Sequence, residues 1–460
     1  MQRLECRIGR SRRATCAARA MRGVRGDVVA VVPQAPRLLQ LLMVEAASAA
    51  GTRLRSIDDR AWFAMLRDAA RRFVEDDLPL ASTAMGLSEH ARLVAEATGI
   101  PTLQVVKASL GLAEMLARME DTLGAQGLGP DASRGGSGWV LAPAGRHVAV
   151  RIPGDHPGIN ATWITALGMR RPSLLCAAGD PLTPTRLLEA LYAAGLPDGA
   201  LSLCFDRGEA LFEQADQVIW PGDDTEQFAG PLERVKRYDH AGSKALLLEP
   251  GGEALWDWLA DMAVRGSGRL CTNLSALLVA GDAEAAGAGL ASALARWTVA
   301  PLDDADAIVP AFPDRDLARQ IDAAIAAAEE RGAVDLSAQV MGGPRLVELD
   351  GALFLRPTVL LVDRRDPLLG ADLPFPFITV AWVPRAEMPR ACRGSLLVSV
   401  LGEDEDLLRR LVLEPTIDKV CQGGGVERSA RAADPHEGLL ADFLFRKKSV
   451  WSDRWQADAV

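Results

Sequence analysis

Between Ile57 and Leu128 apolar residues recur at helical spacing: Trp62, Phe63, Met65 and Leu66 are followed by Ala69, Ala70 and Phe73, with Pro79 and Pro101 as breakers. This spacing predicts a helical opening section. After a Gly/Ser-rich link, Ser133 to Gly138, the period changes to two, and Val148, Val150 and Ile152 alternate as a strand would. From Asn160 onward the pattern predicts a helix over Ala161 to Gly168, a strand over Ser173 to Ala177, a helix over Pro184 to Ala194 and a strand over Ala200 to Phe205. Short apolar strands joined by helices of this length imply a parallel sheet covered on both faces, a fold that takes a nucleotide at its strand ends.

A second alternating series has strands at Lys244 to Leu248, Ser275 to Val279, Arg345 to Leu349, Thr358 to Val362, Ile378 to Val383 and Ser395 to Leu401. Helices at Leu255 to Val264 and Asp316 to Glu330 lie between them, so a second α/β lobe is expected. The strand-like tail, Phe443 to Trp451, follows that lobe and is expected to return to the first lobe or to a partner subunit. No internal repeat is present.

Composition narrows the function classes. With 460 residues, 49% hydrophobic and 24% charged, the chain reads as a globular protein of two or three domains. Its net charge of -10 argues against nucleic acid and anionic membrane as partners. The longest apolar stretch, Val28 to Ala50, is interrupted by Pro33, Pro36, Arg37 and Glu45, so no membrane span is expected. Seven cysteines, Cys6, Cys16, Cys176, Cys204, Cys271, Cys392 and Cys421, are scattered, odd in number and without a CxxC pair. Neither a disulfide framework nor a metal site is expected, and a reducing, cytoplasmic setting fits. The first 25 residues hold eight arginines against Glu5 and no apolar h-region, so residues 1–30 are expected to be a disordered basic tail, with Met21 an alternative first residue.

The candidate chemistry centres on Gly266-Ser-Gly-Arg-Leu-Cys271-Thr-Asn-Leu-Ser275, a cysteine just after a glycine turn and just before an apolar strand. A thiolate there can attack a carbonyl to give a thiohemiacetal, a good hydride donor, which becomes a thioester after hydride loss. A lone cysteine is more often a buried structural thiol, but the neighbouring segments change that reading. In its Gly-x-x-Cys-Thr segment the sequence resembles the aldehyde dehydrogenase superfamily. Pro153 to Leu167 resembles that family's loop and helix at the cofactor lobe, and Ser173 to Gly199 resembles its strand, Thr-Pro helix start and Ala-Gly-Leu-Pro turn. Gly351 to Leu360 and Asp366 to Phe377 resemble its later strand entry and loop.

The resemblance implies a Rossmann-type cofactor lobe over 31–242 with a helical N-terminal section, and a second α/β catalytic lobe over 243–435. It also implies a small oligomerisation strand region over 436–460 and a homodimer or homotetramer. NAD or NADP is the implied cofactor, with an aldehyde or an acyl thioester as the substrate. Cys271 is the implied nucleophile and Asp372 the contact to the nicotinamide ribose. His240 stands where the family has its glutamate base, in His240-Ala-Gly-Ser-Lys244. An imidazole can still take a proton near neutral pH, but loss of the carboxylate raises the case for acyl release to coenzyme A.

Ala178 stands in place of the lysine on the adenosine ribose, so Asp180 or Arg186 is expected to compensate. Asp155 replaces the oxyanion asparagine, leaving Asn160 and the Cys271 backbone N–H as candidate donors. Pro221-Gly-Asp-Asp-Thr225 replaces the phosphate turn, with Gly222 and Thr225 as candidate contacts or, equally, a solvated loop. Pro435-His-Glu-Gly438 is either a cleft wall or the start of the C-terminal segment. Glu249 and Glu253 read as helix-start carboxylates, and Trp163 and Trp256 as core. The altered base, ribose and phosphate positions also fit a chain that kept the fold and lost catalysis, serving as a binding or scaffold protein.

Overall fold

Three of the strands that build the first lobe are buried along their whole length and a fourth at all but Arg151, as a parallel sheet covered on both faces requires. The computed structural model describes residues 2–81, 83–128, 139–222, 231–239, 242–423 and 436–449. The strands of the first sheet, with those of the ribbon described below, are β1 (Cys6–Ile8), β2 (Ser11–Arg13), β3 (Trp139–Pro143), β4 (Val148–Ile152), β5 (Ser173–Ala177), β6 (Leu201–Cys204), β7 (Gln217–Pro221) and β8 (Val235–Tyr238). All but β3 form a seven-stranded sheet in the order β8-β7-β4-β5-β6-β1-β2. The five from β8 to β6 run parallel, and β1 and β2 add antiparallel at one edge.

Helix α1 (Thr102–Ala117) buries Val105, Leu112, Ala113 and Leu116 against the lobe, while α2 (Ala161–Gly168) and α3 (Leu182–Ala193) connect β4 to β5 and β5 to β6. The chain leaves β4 toward β5 and β6, then returns to place β7 on the other side of β4. That reversal opens a crevice beyond the carboxyl ends of β4 and β7, at Ile152 and Pro221.

The second sheet contains β9 (Ser243–Leu247), β10 (Leu274–Val279), β11 (Val334–Asp335), β12 (Thr358–Leu361), β13 (Phe377–Trp382), β14 (Leu397–Leu401) and β15 (Lys419–Gln422). Their order is β11-β12-β13-β10-β9-β14-β15, parallel except for β11. Alternate residues feed two cores: Leu246, Ala276, Leu278 and Val398 on one face, Ala245, Leu247, Leu277 and Val279 on the other. Helix α4 (Glu253–Val264) covers the latter and leads directly to the Cys271 loop.

Three expectations need correction. The basic N-terminus is built into the fold: β1 joins the first sheet, residues Gln2–Arg3, Ala18–Arg22 and Val28–Pro33 form a three-stranded sheet, and Leu4, Cys6 and Val24 are buried. Its arginines have distant partners, Arg7 being ion-paired to Glu189 and Arg12 bonding the Ala81 carbonyl at 2.7 Å. Leu346–Leu349 is a strand, but it pairs with Ala352–Leu355 as a hairpin outside the main sheet. Strands β7 and β8 are additions to the expected pattern. The Ser133 to Gly138 link lies outside the described residues.

The tail forms β16 (Phe445–Ser449), which pairs antiparallel with β3 as a separate ribbon. Just before it, Leu444 is buried in the first lobe's core and the Phe443 carbonyl accepts from the Gln217 amide. The C-terminal segment therefore returns to the first lobe. No described helix is long and apolar enough to cross a membrane.

Candidate active site

Helix α4 ends at Val264 and the backbone turns left-handed for three residues: Gly266, Ser267 and Gly268 have φ of 52°, 63° and 73°. A β-carbon on Gly268 would lie 2.5 Å from the Phe375 and Pro376 backbone, and one on Gly266 would lie 2.7 Å from His156 Nε2. Glycine is thus required twice by both conformation and space. Ser267 holds the same conformation as a buried residue whose hydroxyl has no hydrogen-bond partner among the described residues. A strained turn of this kind persists only where its surroundings fix it.

Here the surroundings are explicit. Asn273 Oδ1 accepts from Leu270 N at 2.7 Å while its Nδ2 donates to the carbonyls of Ala263 and Arg265 at 2.7 and 2.9 Å. Arg269, almost fully buried, donates to the carbonyls of Thr98, Ala311 and Pro374 at 2.6, 2.8 and 3.1 Å and lies 3.6 Å from Asp155. One guanidinium so ties the loop to the helical opening section, the second lobe and the first lobe's Pro153 loop. The Cys271 carbonyl accepts from Gly242 N at 3.0 Å, anchoring the loop beside the start of β9.

Cys271 Sγ lies 3.0 Å from Nε2 of His436. The imidazole is set edge-on against Tyr238, with ring centroids 5.4 Å apart, and its Nδ1 lies 4.0 Å from Glu437 Oε1. Glu437 is itself buried and accepts from Asp239 N at 3.2 Å. A thiol, an imidazole and, farther off, a carboxylate thus lie in order. Burial, helped by Lys419 and Lys236, lowers His436 to about 4, and burial together with Asp372, opposed by Lys419, raises Cys271 to about 11. Both groups are therefore neutral near pH 7.

The thiol opens into a cavity of about 1170 Å³. Its lining includes the apolar side chains of Leu112 and Met115 of α1, Ile159, Leu270, Leu439 and Leu440 beside the charged Asp372 and Lys419. The same cavity reaches Pro221 and Gly222, so it joins the crevice at the β4/β7 reversal to the sulfur.

Of the residues expected from sequence, Cys271, Gly222 and Asp372 line this cavity together. Burial raises Asp372 to about 7. Asn160 is different: it is buried, its Nδ2 donates to Pro157 O at 2.8 Å and its Oδ1 accepts from Trp163 Nε1 at 2.7 Å. Its amide locks the entry to α2 and does not line the cavity, so the Cys271 backbone N–H is left as the oxyanion donor from sequence. Asp180 is also buried; its carboxylate accepts from Leu182 N at 2.8 Å and from the Thr183 hydroxyl at the start of α3. It is a helix cap rather than a ribose contact, and burial raises it to about 6. Arg186 donates to the carbonyls of Phe73, Met85 and Asp76 and is likewise structural. His240 and Thr225 lie outside the described residues. His436 was legible only as a candidate cleft residue, and Arg269 carried no sequence signal.

Solved structures of low sequence identity share this architecture over nearly the whole chain. A succinate-semialdehyde dehydrogenase from Burkholderia pseudomallei superposes with a TM-score of 0.79 at 17% identity, covering 97% of each chain. An NADP dependent enzyme from E. coli gives 0.78 at 16% identity, again covering 97% of each. An oxidoreductase from Marinobacter aquaeolei gives 0.76 at 17% identity with the same coverage. No protein-family model and no curated protein matches the chain. The likeness shows that the chain has the fold of the aldehyde dehydrogenases.

Proposed function

We propose that the chain is an NAD(P)-dependent oxidoreductase that converts an aldehyde to a thioester on Cys271 and then to a carboxylic acid. The observation that carries this reading is the 3.0 Å approach of Cys271 Sγ to His436 Nε2 at the floor of a cavity that also reaches the β4/β7 crevice. The solved neighbours of this fold include an indole-3-acetaldehyde dehydrogenase in complex with NAD+.

The thiol adds to the aldehyde carbonyl, forming the C–S bond as its proton passes from Sγ to Nε2 and the π electrons move onto oxygen. The Cys271 backbone N–H faces the developing oxyanion. Loss of the aldehyde hydrogen as hydride leaves a thioester on Cys271. The oxidised nicotinamide dinucleotide supplies the hydride acceptor when bound. Gly222 at the crevice and Asp372 at its edge fit it, since both line the cavity that ends at the sulfur. After His436 has released the thiol's proton to solvent, it takes a proton from the water that attacks the thioester; the C–S bond breaks, the acid leaves, and the imidazolium returns that proton to the Cys271 sulfur.

The imidazole beside the sulfur favours hydrolysis over transfer to coenzyme A, which needs no base for water. The ribbon of β3 and β16 presents an unpaired edge on either side among the described residues, which supports self-association as a homodimer or homotetramer.

The test is a paired assay of purified chain and Cys271→Ala with an aldehyde panel and NAD or NADP, with and without coenzyme A, following the reduced cofactor. Turnover without coenzyme A that is lost in the variant is expected. Turnover only with coenzyme A would assign the acylating reaction instead. No turnover and no cofactor-dependent thermal stabilisation would leave a scaffold.

A further inference from the structure

Away from the cleft, three of the seven cysteines meet in the first lobe. Cys176 on β5 and Cys204 on β6 are direct register partners in parallel strands, so their side chains leave the sheet on the same face. The antiparallel register that pairs Leu203 with Arg7 brings Cys6 of β1 alongside Cys204. The result is a lateral row of thiols across three adjacent strands, each buried and none in a disulfide. Asp206 follows Cys204 at the strand end, and the two sulfurs and a carboxylate oxygen of Asp206 all lie within 4.8 Å of one another.

A second observation concerns access. A pocket of about 520 Å³ is lined by Gln34, Ala35, Gln40, Asp206, Gly208 and Ala210. Gly208 separates this pocket from the sulfurs, and a β-carbon on it would lie only 2.9 Å from Cys176 Sγ. Because Gly208 has none, only backbone stands at this point between the pocket, which Asp206 lines, and the buried Cys176 sulfur. Asp206 is held for this position: its Oδ2 accepts from Ala35 N at 2.8 Å and its Oδ1 from Gly208 N at 3.3 Å. Ligating carboxylates are commonly fixed by such N–H donors.

We propose that Cys176, Cys204 and Asp206 form a site for one thiophilic divalent cation of the zinc type. Two soft thiolates with one carboxylate suit a d10 cation, and water from the adjoining pocket would complete its four-coordinate shell. Binding exchanges the thiol protons, released to solvent, for metal–sulfur bonds, with no change of oxidation state. The cation would tie β5 to β6 and to the segment that follows it. Sequence spacing conceals the set, since no two of these residues form a CxxC pair.

The test uses full-length Cys271→Ala protein, so that the Cys271–His436 pair cannot bind the probe. After chelator treatment under reductant it is titrated with Cd2+, following the thiolate-to-cadmium charge-transfer band, and separately loaded with Co2+. One equivalent of Cd2+ and a tetrahedral cobalt–thiolate spectrum are expected. Adding Cys204→Ala or Cys176→Ser should weaken binding by more than about 100-fold, beyond the effect of losing an outer-shell partner. Absence of both spectra overturns the site, and needs no folding of the second variants. A band that survives both substitutions overturns the assignment to these residues.

Discussion

Replacing His436 by alanine tests whether the imidazole works as the base of Cys271. With His436 lowered to about 4 and Cys271 raised to about 11, the resting pair is a neutral imidazole and a neutral thiol. The groups that face the pair, Lys419, Lys236, Glu437, Tyr238 and Asp372, all remain in the variant. Four pH units separate pH 7 from the thiol's pKa, so only about 1 thiol in 10⁴ is ionised there. Sulfur must therefore lose its proton during attack, across the 3.0 Å to Nε2.

Without that acceptor the reaction depends on preformed thiolate or on water, and general-base loss typically lowers rates by about 10²–10⁴-fold. We expect His436→Ala to lower kcat/KM by about that factor at pH 7, with the residual rate rising about tenfold per pH unit toward 11. The unsubstituted chain should instead lose activity only as pH falls through about 4, where the imidazole takes a proton and ceases to be a base. The assay is the pH profile of cofactor reduction, paired with iodoacetamide alkylation of Cys271 as a readout independent of hydride transfer. A variant within about threefold of the parent at pH 7, with an unchanged profile in both measurements, refutes the reasoning.

Three further expectations concern the frame of the site. Gly268→Ala should destabilise the second lobe by about 2–5 kcal/mol, combining a left-handed alanine with a β-carbon forced onto backbone, whereas Gly394→Ala, left-handed but with open space, should cost about 1–2 kcal/mol; urea midpoints compare them. Asp335 binds both Arg345 and Arg356 through Oδ2, at 3.0 and 2.9 Å, and caps Ala338 N through Oδ1. Asp335→Ala should therefore cost about 3–5 kcal/mol, because two buried guanidinium groups lose their shared carboxylate; thermal unfolding at neutral pH reads it, and a shift of less than about 1 kcal/mol would sink the argument.

His90 is wholly buried, and burial together with Arg186 lowers it to about 3. Between pH 6.5 and 3 the unfolded chain accepts a proton that the folded chain refuses, so stability falls as pH falls through that window. His90→Leu should recover about 2 kcal/mol at pH 5 relative to its effect at pH 8, which parallel denaturant curves at the two pH values measure.

The central strands of the second lobe and three of the first were legible because a sheet covered on both faces writes itself as short continuous apolar runs, SLLCA and LSALLV among them, whereas β7, β11 and β15 were missed. Strand β8, VKRY, escaped for the opposite reason: it lies at the sheet edge and sets two adjacent charges, Lys236 and Arg237, between its apolar ends. The N-terminus misled because composition counts charges and not their partners. Arg7 is buried beside Glu189, which is 182 residues away, and Arg10 lies over the Tyr192 ring at 5.3 Å. Neither pairing leaves a local trace in sequence.

The site divides along the same line. Cys271 was legible because its two turn glycines and following strand are contiguous with it, and the strained turn needs them there. Asn160 and Asp180 were drawn to the cofactor by residue type, yet each spends its polar atoms on its own helix start, at α2 and α3. A polar residue one to three positions before a helix has a local claim on its side chain that a distant ligand must outbid.

His436 has no such local claim. Its nearest ring contacts, Cys271 and Tyr238, come from other segments, and among the described residues the ring nitrogen away from sulfur faces Glu437, at 4.0 Å. That contrast supplies a working rule for this chain. Among buried polar side chains, those with satisfied neighbours within four residues hold the frame, as Asn160 and Asp180 do. Half-buried His436 differs: among the described residues its close side-chain partner is a thiol from another segment, and such a pairing is where chemistry is to be sought.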